Sequence, residues 1–103
     1  MVRLEDVARG VAEAALAVPG VAGLSPGRGI EVSTQFPGGK VVGVRLSGSE
    51  VCVRVTADRV PLPAVAAQVR ASARRVLQAV GDNRPVTVFI DDVTPAALTR
   101  RGA

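Results

Sequence analysis

The residues of this chain best equipped for chemistry are arginines. Arg70, Arg74 and Arg75 stand close together. At helical spacing, positions 70 and 74 lie one turn apart on one face. A guanidinium keeps its proton throughout the working pH range and offers a planar fork of donors. It binds carboxylates and phosphates; it does not act as an acid or a base. The cluster is a candidate contact patch for an acidic partner, a phospholipid or RNA. A purely structural role also fits, because cations in the second half of a helix complement its dipole. Arg100 and Arg101 in the tail would extend the patch.

Other reactive types are sparse. Histidine is absent, which removes the commonest general base and metal ligand. Cys52 is the one cysteine, so no disulfide forms within the chain. Only Arg45 or Arg54 would stand near enough to activate its thiol. Asp91 and Asp92 are adjacent acids, but neighbours in a strand point to opposite faces. They read as a solvated strand end. The glycine-rich stretches Pro26-Gly27-Arg28-Gly29 and Pro37-Gly38-Gly39-Lys40 open no helix and match no phosphate-loop spacing. Both read as turns.

These residues must be carried by regular elements. Leu4, Val7, Val11, Ala14, Ala15 and Val18 make the apolar stripe of a first helix over residues 4–18, which Pro19-Gly20 stops. Val21 and Leu24 are expected to fold back beneath its end. Three alternating stretches follow, at residues 30–36, 42–46 and 51–57. Their inward positions are 30, 32 and 36, then the even positions, then the odd ones. Short links predict an antiparallel meander. A second helix spans residues 62–80, with Pro61 or Pro63 at its start. It buries Leu62, Val65, Ala66, Val69, Ala73, Val76, Leu77 and Val80, and turns its arginines outward. In the last strand Val86, Val88 and Ile90 point inward and Thr87, Phe89 and Asp91 outward.

The order is α-β-β-β-α-β. It predicts an α+β two-layer sandwich, with two helices packed on one face of a four-stranded mixed sheet. The last strand follows a helical crossover and runs parallel to the third. Residues 1–94 form a single domain and residues 95–103 a flexible tail. The other sheet face then stays open, showing Glu31, Ser33, Val41, Arg45, Cys52, Arg54, Thr56, Thr87 and Phe89. An exposed Phe beside Val and Cys is an interaction signal. Val41, Arg45, Cys52, Arg54 and Phe89 are the candidate self-association face.

Composition sets the outer bounds. The chain has 103 residues, 48% hydrophobic but only 2% aromatic, so Val, Ala and Leu must build its core. A single thiol suits a reducing compartment. Glu5 and Asp6 stand where a signal peptide needs an apolar run. The chain is therefore expected in the cytoplasm, peripheral at the inner membrane face if a partner takes it there. The net charge is +4, and every basic residue except Lys40 is Arg. That balance is compatible with an anionic partner and equally with an ordinary basic surface.

Three ordered blocks resemble the alkaline shock protein family of envelope stress-response proteins. The first is the small-residue helix ending in Val18-Pro19-Gly20-Val21. The second, Val60-Pro61-Leu62-Pro63-Ala64-Val65-Ala66, is similar to the family's Ile-Pro-Glu-Val-Ala helix start. The third is Val86-Thr87-Val88-Phe89-Ile90-Asp91-Asp92-Val93, similar to its closing strand. Asp58-Arg59 and Ala64 depart from the family pattern. The resemblance implies a non-enzymatic, self-associating scaffold linked to envelope homeostasis and held by a small membrane anchor protein. It implies no cofactor and no small-molecule substrate. The rival reading is a small basic nucleic-acid-binding module. Against it, the chain lacks the aromatic platform on which bases stack.

Overall fold

A computed structural model of the chain describes residues 2–100. The elements are α1 (Leu4–Leu16), β1 (Val21–Leu24), β2 (Ser33–Phe36), β3 (Gly39–Val42), β4 (Val44–Leu46), β5 (Val51–Ala57), α2 (Leu62–Ala79), β6 (Val86–Val93) and α3 (Pro95–Arg100). The fold is α+β, with helices packed against a four-stranded mixed sheet.

In α1 the residues at helical spacing, Val7, Ala8, Val11, Ala12 and Ala15, are the buried ones. Glu5 in the first turn accepts from both Arg3 and Arg9. Pro19 has no amide hydrogen to continue the ladder, and Gly20 adopts a φ of 100° that turns the chain. This turn is closed tightly on α2, since a Cβ at Gly20 would stand 3.0 Å from Val65 Cγ2. The chain then enters β1. Val21 and Leu24 pack against the core as expected, but they do so from a strand that the sequence reading did not assign.

Strand β5 is the axis of the sheet. Its inward residues Val51, Val53, Val55 and Ala57 are all fully buried. One edge is shared by two segments: β1 pairs antiparallel with its C-terminal half and β4 with its N-terminal half. The other edge takes β6 in parallel, as the helical crossover through α2 requires. Val65, Val69, Ala73 and Leu77 bury the inner stripe of α2. With α1 and the inward residues of β4, β5 and β6 they form one continuous aliphatic core.

The four strands of the sheet are not the four expected. Gly43, at φ 89°, breaks the expected second strand into β3 and β4. A Cβ there would lie 2.8 Å from Leu24 Cβ and 3.2 Å from two backbone carbonyl oxygens, so only glycine fits. Beyond the break, β2 and β3 leave the main sheet and pair as a separate hairpin, with Ser33 opposite Val42 and Phe36 opposite Gly39. The fourth strand of the sheet is β1, paired directly with β5, in place of the expected first strand of the meander. The hairpin leans on α1, where the Arg9 guanidinium stands 5.0 Å from the Phe36 ring centroid. Ile30, expected inward, lies before the strand begins and is 91% exposed. Thr34 is buried instead and donates from Oγ1 to the Val44 carbonyl at 2.7 Å.

The tail opens with a helix. In α3 the amide of Ala97 donates to the Thr94 carbonyl, and Ala97 is buried. Residues 101–103, with the expected contribution of Arg101, lie outside the described residues.

Candidate interaction surfaces

The outer face of α2 is built by composition as much as by position. This 18-residue helix contains no Asp or Glu, and Gln68, Arg70, Arg74, Arg75 and Gln78 are exposed. Arg70 and Arg74 form no ion pair among the described residues, and Arg75 donates only to Ser72 Oγ, at 3.1 Å. Lys40, Arg54 and Arg84, by contrast, are each paired with an acid. Arg28, Arg45 and Arg59 also form no ion pair among the described residues, so what sets α2 apart is three such arginines on one helix without an acid of its own.

The structure divides the arginine cluster. Successive helical residues turn by about 100°, so Arg70 and Arg74 share a face and Arg75 leaves it. Arg74 lines a cleft of about 200 Å³ with Gln78, Asp82, Asn83 and Arg84. Arg75 lines a groove of about 350 Å³ with Ala14, Ala17, Pro19 and Gln68. That groove lies at the C-terminal end of α1, which has no basic residue in its last turn. Arg75 thus brings a cation to the negative end of the α1 dipole.

The outward side of the sheet has two cross-strand rows. Arg45, Cys52 and Thr87 stand side by side on β4, β5 and β6. Arg54 and Phe89 are paired in the next row. The Arg54 guanidinium lies 4.1 Å from the Phe89 ring centroid, a cation–π contact. Its Nη1 donates to Asp91 Oδ1 at 2.6 Å. On its other side, Gly27 presses close, since a Cβ there would stand 3.4 Å from Arg54 Cδ. Arg28 in the same loop donates to the Asp91 carbonyl at 2.5 Å. The loop that reads as an ordinary turn is thus strapped over the sheet; the hint was its pair of glycines, both at positive φ.

Two expectations about this face are corrected. Val41 does not join Arg45, Cys52, Arg54 and Phe89. It lies in the β2–β3 hairpin and packs against the core, because Gly43 has taken its strand out of the sheet. Asp91 is not a solvated strand end. Its side chain is only 9% exposed, and it occupies the extra position where the β5–β6 register shifts. Sequence reasoning missed its pairing with Arg54 because the partners are far apart in the chain and the bulge is silent in the pattern.

Cys52 is half-buried. Burial pushes its thiol above the usual value, with Glu50 and Asp91 adding to the rise and Arg54 and Arg45 opposing it. The thiol is less nucleophilic than a free one at neutral pH. Asp92 is exposed and caps the backbone amide of Val93 at 2.8 Å. Among the described residues no group of acids and cysteine is arranged to hold a metal ion. No helix among them is long and apolar enough to cross a membrane.

At one end of the molecule Asp82 and Arg84 form an ion pair that also ties Ser47 to the start of β6. Hydrogen bonds from the Arg84 side chain and then from its backbone hold the Asp82 carboxyl below its ordinary value. Comparison of the chain with protein-family models, with curated proteins and with solved structures finds no match.

Proposed function

We propose that this chain is a non-enzymatic scaffold: it self-associates and docks through α2 onto an acidic partner at the inner side of the cell envelope. The observation that carries the reading is the outer face of α2. It holds three arginines without an acid on the same helix, and none of the three forms an ion pair among the described residues. The resemblance to the alkaline shock protein family supports the envelope setting and a small membrane anchor protein as partner. The open sheet face, with Phe89 41% exposed beside Arg54, supports self-association.

The test is a native pull-down with the chain and with the R70E/R74E/R75E triple variant, both checked for folding by circular dichroism. A recovered acidic protein that is lost with the variant is the expected result. Equal recovery by both proteins removes the α2 face from the proposal. The same face is compatible with RNA, so a salt-titrated RNA-binding assay runs alongside. Tight binding that weakens steeply with salt would replace the scaffold with a nucleic-acid-binding module.

A further inference from the structure

The sheet has one edge that is finished and one that is not. Along β1 and β4 the edge is short, bulged between Val21 and Gly23 and crossed by the hairpin, where the Gly43 amide donates to the Val32 carbonyl at 2.8 Å. Strand β6, the longest in the molecule, pairs only with β5 among the described residues. Its backbone polarity follows from one bond: the Val51 amide donates to the Pro85 carbonyl at 2.9 Å, with Val51 in register with Val86. In a parallel ladder this turns the amides and carbonyls of odd-numbered residues toward β5. Those of Val86, Val88 and Ile90 face outward, unpaired by any strand described. No lysine or inward-pointing charge blunts this stretch. The register shift that follows Ile90 ends it.

The geometry points to pairing of β6 with β6 of a second copy of this chain, antiparallel and about a two-fold axis at Val88. The inference rests on the self-association proposed above and specifies how it occurs. With the axis at Val88, Val86 faces Ile90 of the other copy and Val88 faces Val88, so all three unpaired residues are satisfied by about six hydrogen bonds. A two-fold arrangement closes on itself and leaves no further edge of this kind. On the open face, Phe89 comes opposite Thr87 of the second copy, in a non-hydrogen-bonded pair where side chains are closest.

Charge selects the same direction. Asp92 has no cationic partner among the described residues, whereas Arg74, itself without an ion pair among them, stands beside the start of β6 next to the Asp82–Arg84 pair. Antiparallel pairing carries Asp92 toward that end of the other copy. Parallel pairing would set Asp92 against Asp92. One strand pair is a small contact, so the dimer is weak and concentration-dependent.

The test combines light scattering with a spin-label distance. In the full chain carrying C52S, Asn83→Cys is labelled just before β6. The stated register separates the two labels by ten residues along the strands, or about 33 Å at the usual rise. Parallel pairing would bring them within a few ångströms. The untagged chain is expected to pass from monomer to dimer with concentration. Val88→Pro removes an outward amide and no bond to β5, and is expected to weaken dimerisation at least tenfold. Should that variant fail to fold, the label distance decides alone. A dimer without the 33 Å separation, or one indifferent to Val88→Pro in a folded protein, overturns the edge pairing and leaves self-association standing. A protein that stays monomeric at millimolar concentration overturns both.

Discussion

Replacing Asp91 with Ala removes the acid that ties Arg54 of β5 to β6. Asp91 holds Arg54 at 2.6 Å, and Arg54 is in turn stacked on Phe89. Removing one member of a fully buried pair costs about 3–5 kcal/mol, because the other charge is left without compensation. An exposed pair is worth about 0–1 kcal/mol. Here the carboxylate is buried but the Arg54 side chain keeps a quarter of its exposure, so water can reach it. The expected cost lies between the limits, at about 2 kcal/mol. With a urea dependence of about 1–1.5 kcal/mol/M for a chain of this size, the midpoint falls by roughly 1.5 M. Arg54→Met alone should cost a similar amount. The double variant should cost clearly less than the sum, with a coupling of about 1.5 kcal/mol in the cycle. Additive single effects, within about 0.5 kcal/mol, would refute the claim that these groups stabilise each other.

Gly43→Ala should destabilise by about 2–3 kcal/mol, through the positive φ and the clash with Leu24. Gly48→Ala, which meets nothing within 4 Å, should move the same urea midpoint little. Cys52 should react with iodoacetamide at pH 8 more slowly than an unstructured thiol peptide, because its folded thiol is raised. Faster reaction would contradict the dominance of burial. Asp82→Asn should cost about 0.5–1 kcal/mol at pH 7, given the pair's partial exposure. Since the folded carboxyl is lowered from 3.8, its contribution is present above that pH and lost as pH falls below it. The variant's deficit should therefore shrink in urea titrations at acid pH; an unchanged deficit would place the effect elsewhere.

What could be read in advance divides along physical lines. Leu77 and Val69 declare the buried side of α2 through a 3.6-residue period, and Val51, Val53 and Val55 declare the inner side of β5 through a period of two. These signals are local, and they were legible. The strand β1 was not, because four residues interrupted by Gly23 carry too little alternation to separate a strand from a loop. The departure of Val41 from the open face depends on Gly43, whose effect is set by the approach of Leu24 and not by its neighbours in sequence. Likewise Arg54 and Asp91 each looked solvent-facing on their own strands, and only the parallel register brings them together. The arginines of α2 were found because helical spacing alone puts them outside. The divergence of Arg75 toward α1 needed the packing of the two helices.

The placing of β5 has a consequence for synthesis. By the time Ala57 is made, the residues that flank β5 on its β1 and β4 edge already exist, whereas its other neighbour begins only at Val86. A chain growing from the N-terminus thus carries a central strand with a wholly apolar inner face and one edge bare while α2 is still being added. The ladder closes only when residues 86–93 emerge. A ribosome-bound fragment that stops before Val86 should accordingly be the form most in need of a chaperone, and the emergence of β6 the step that releases it.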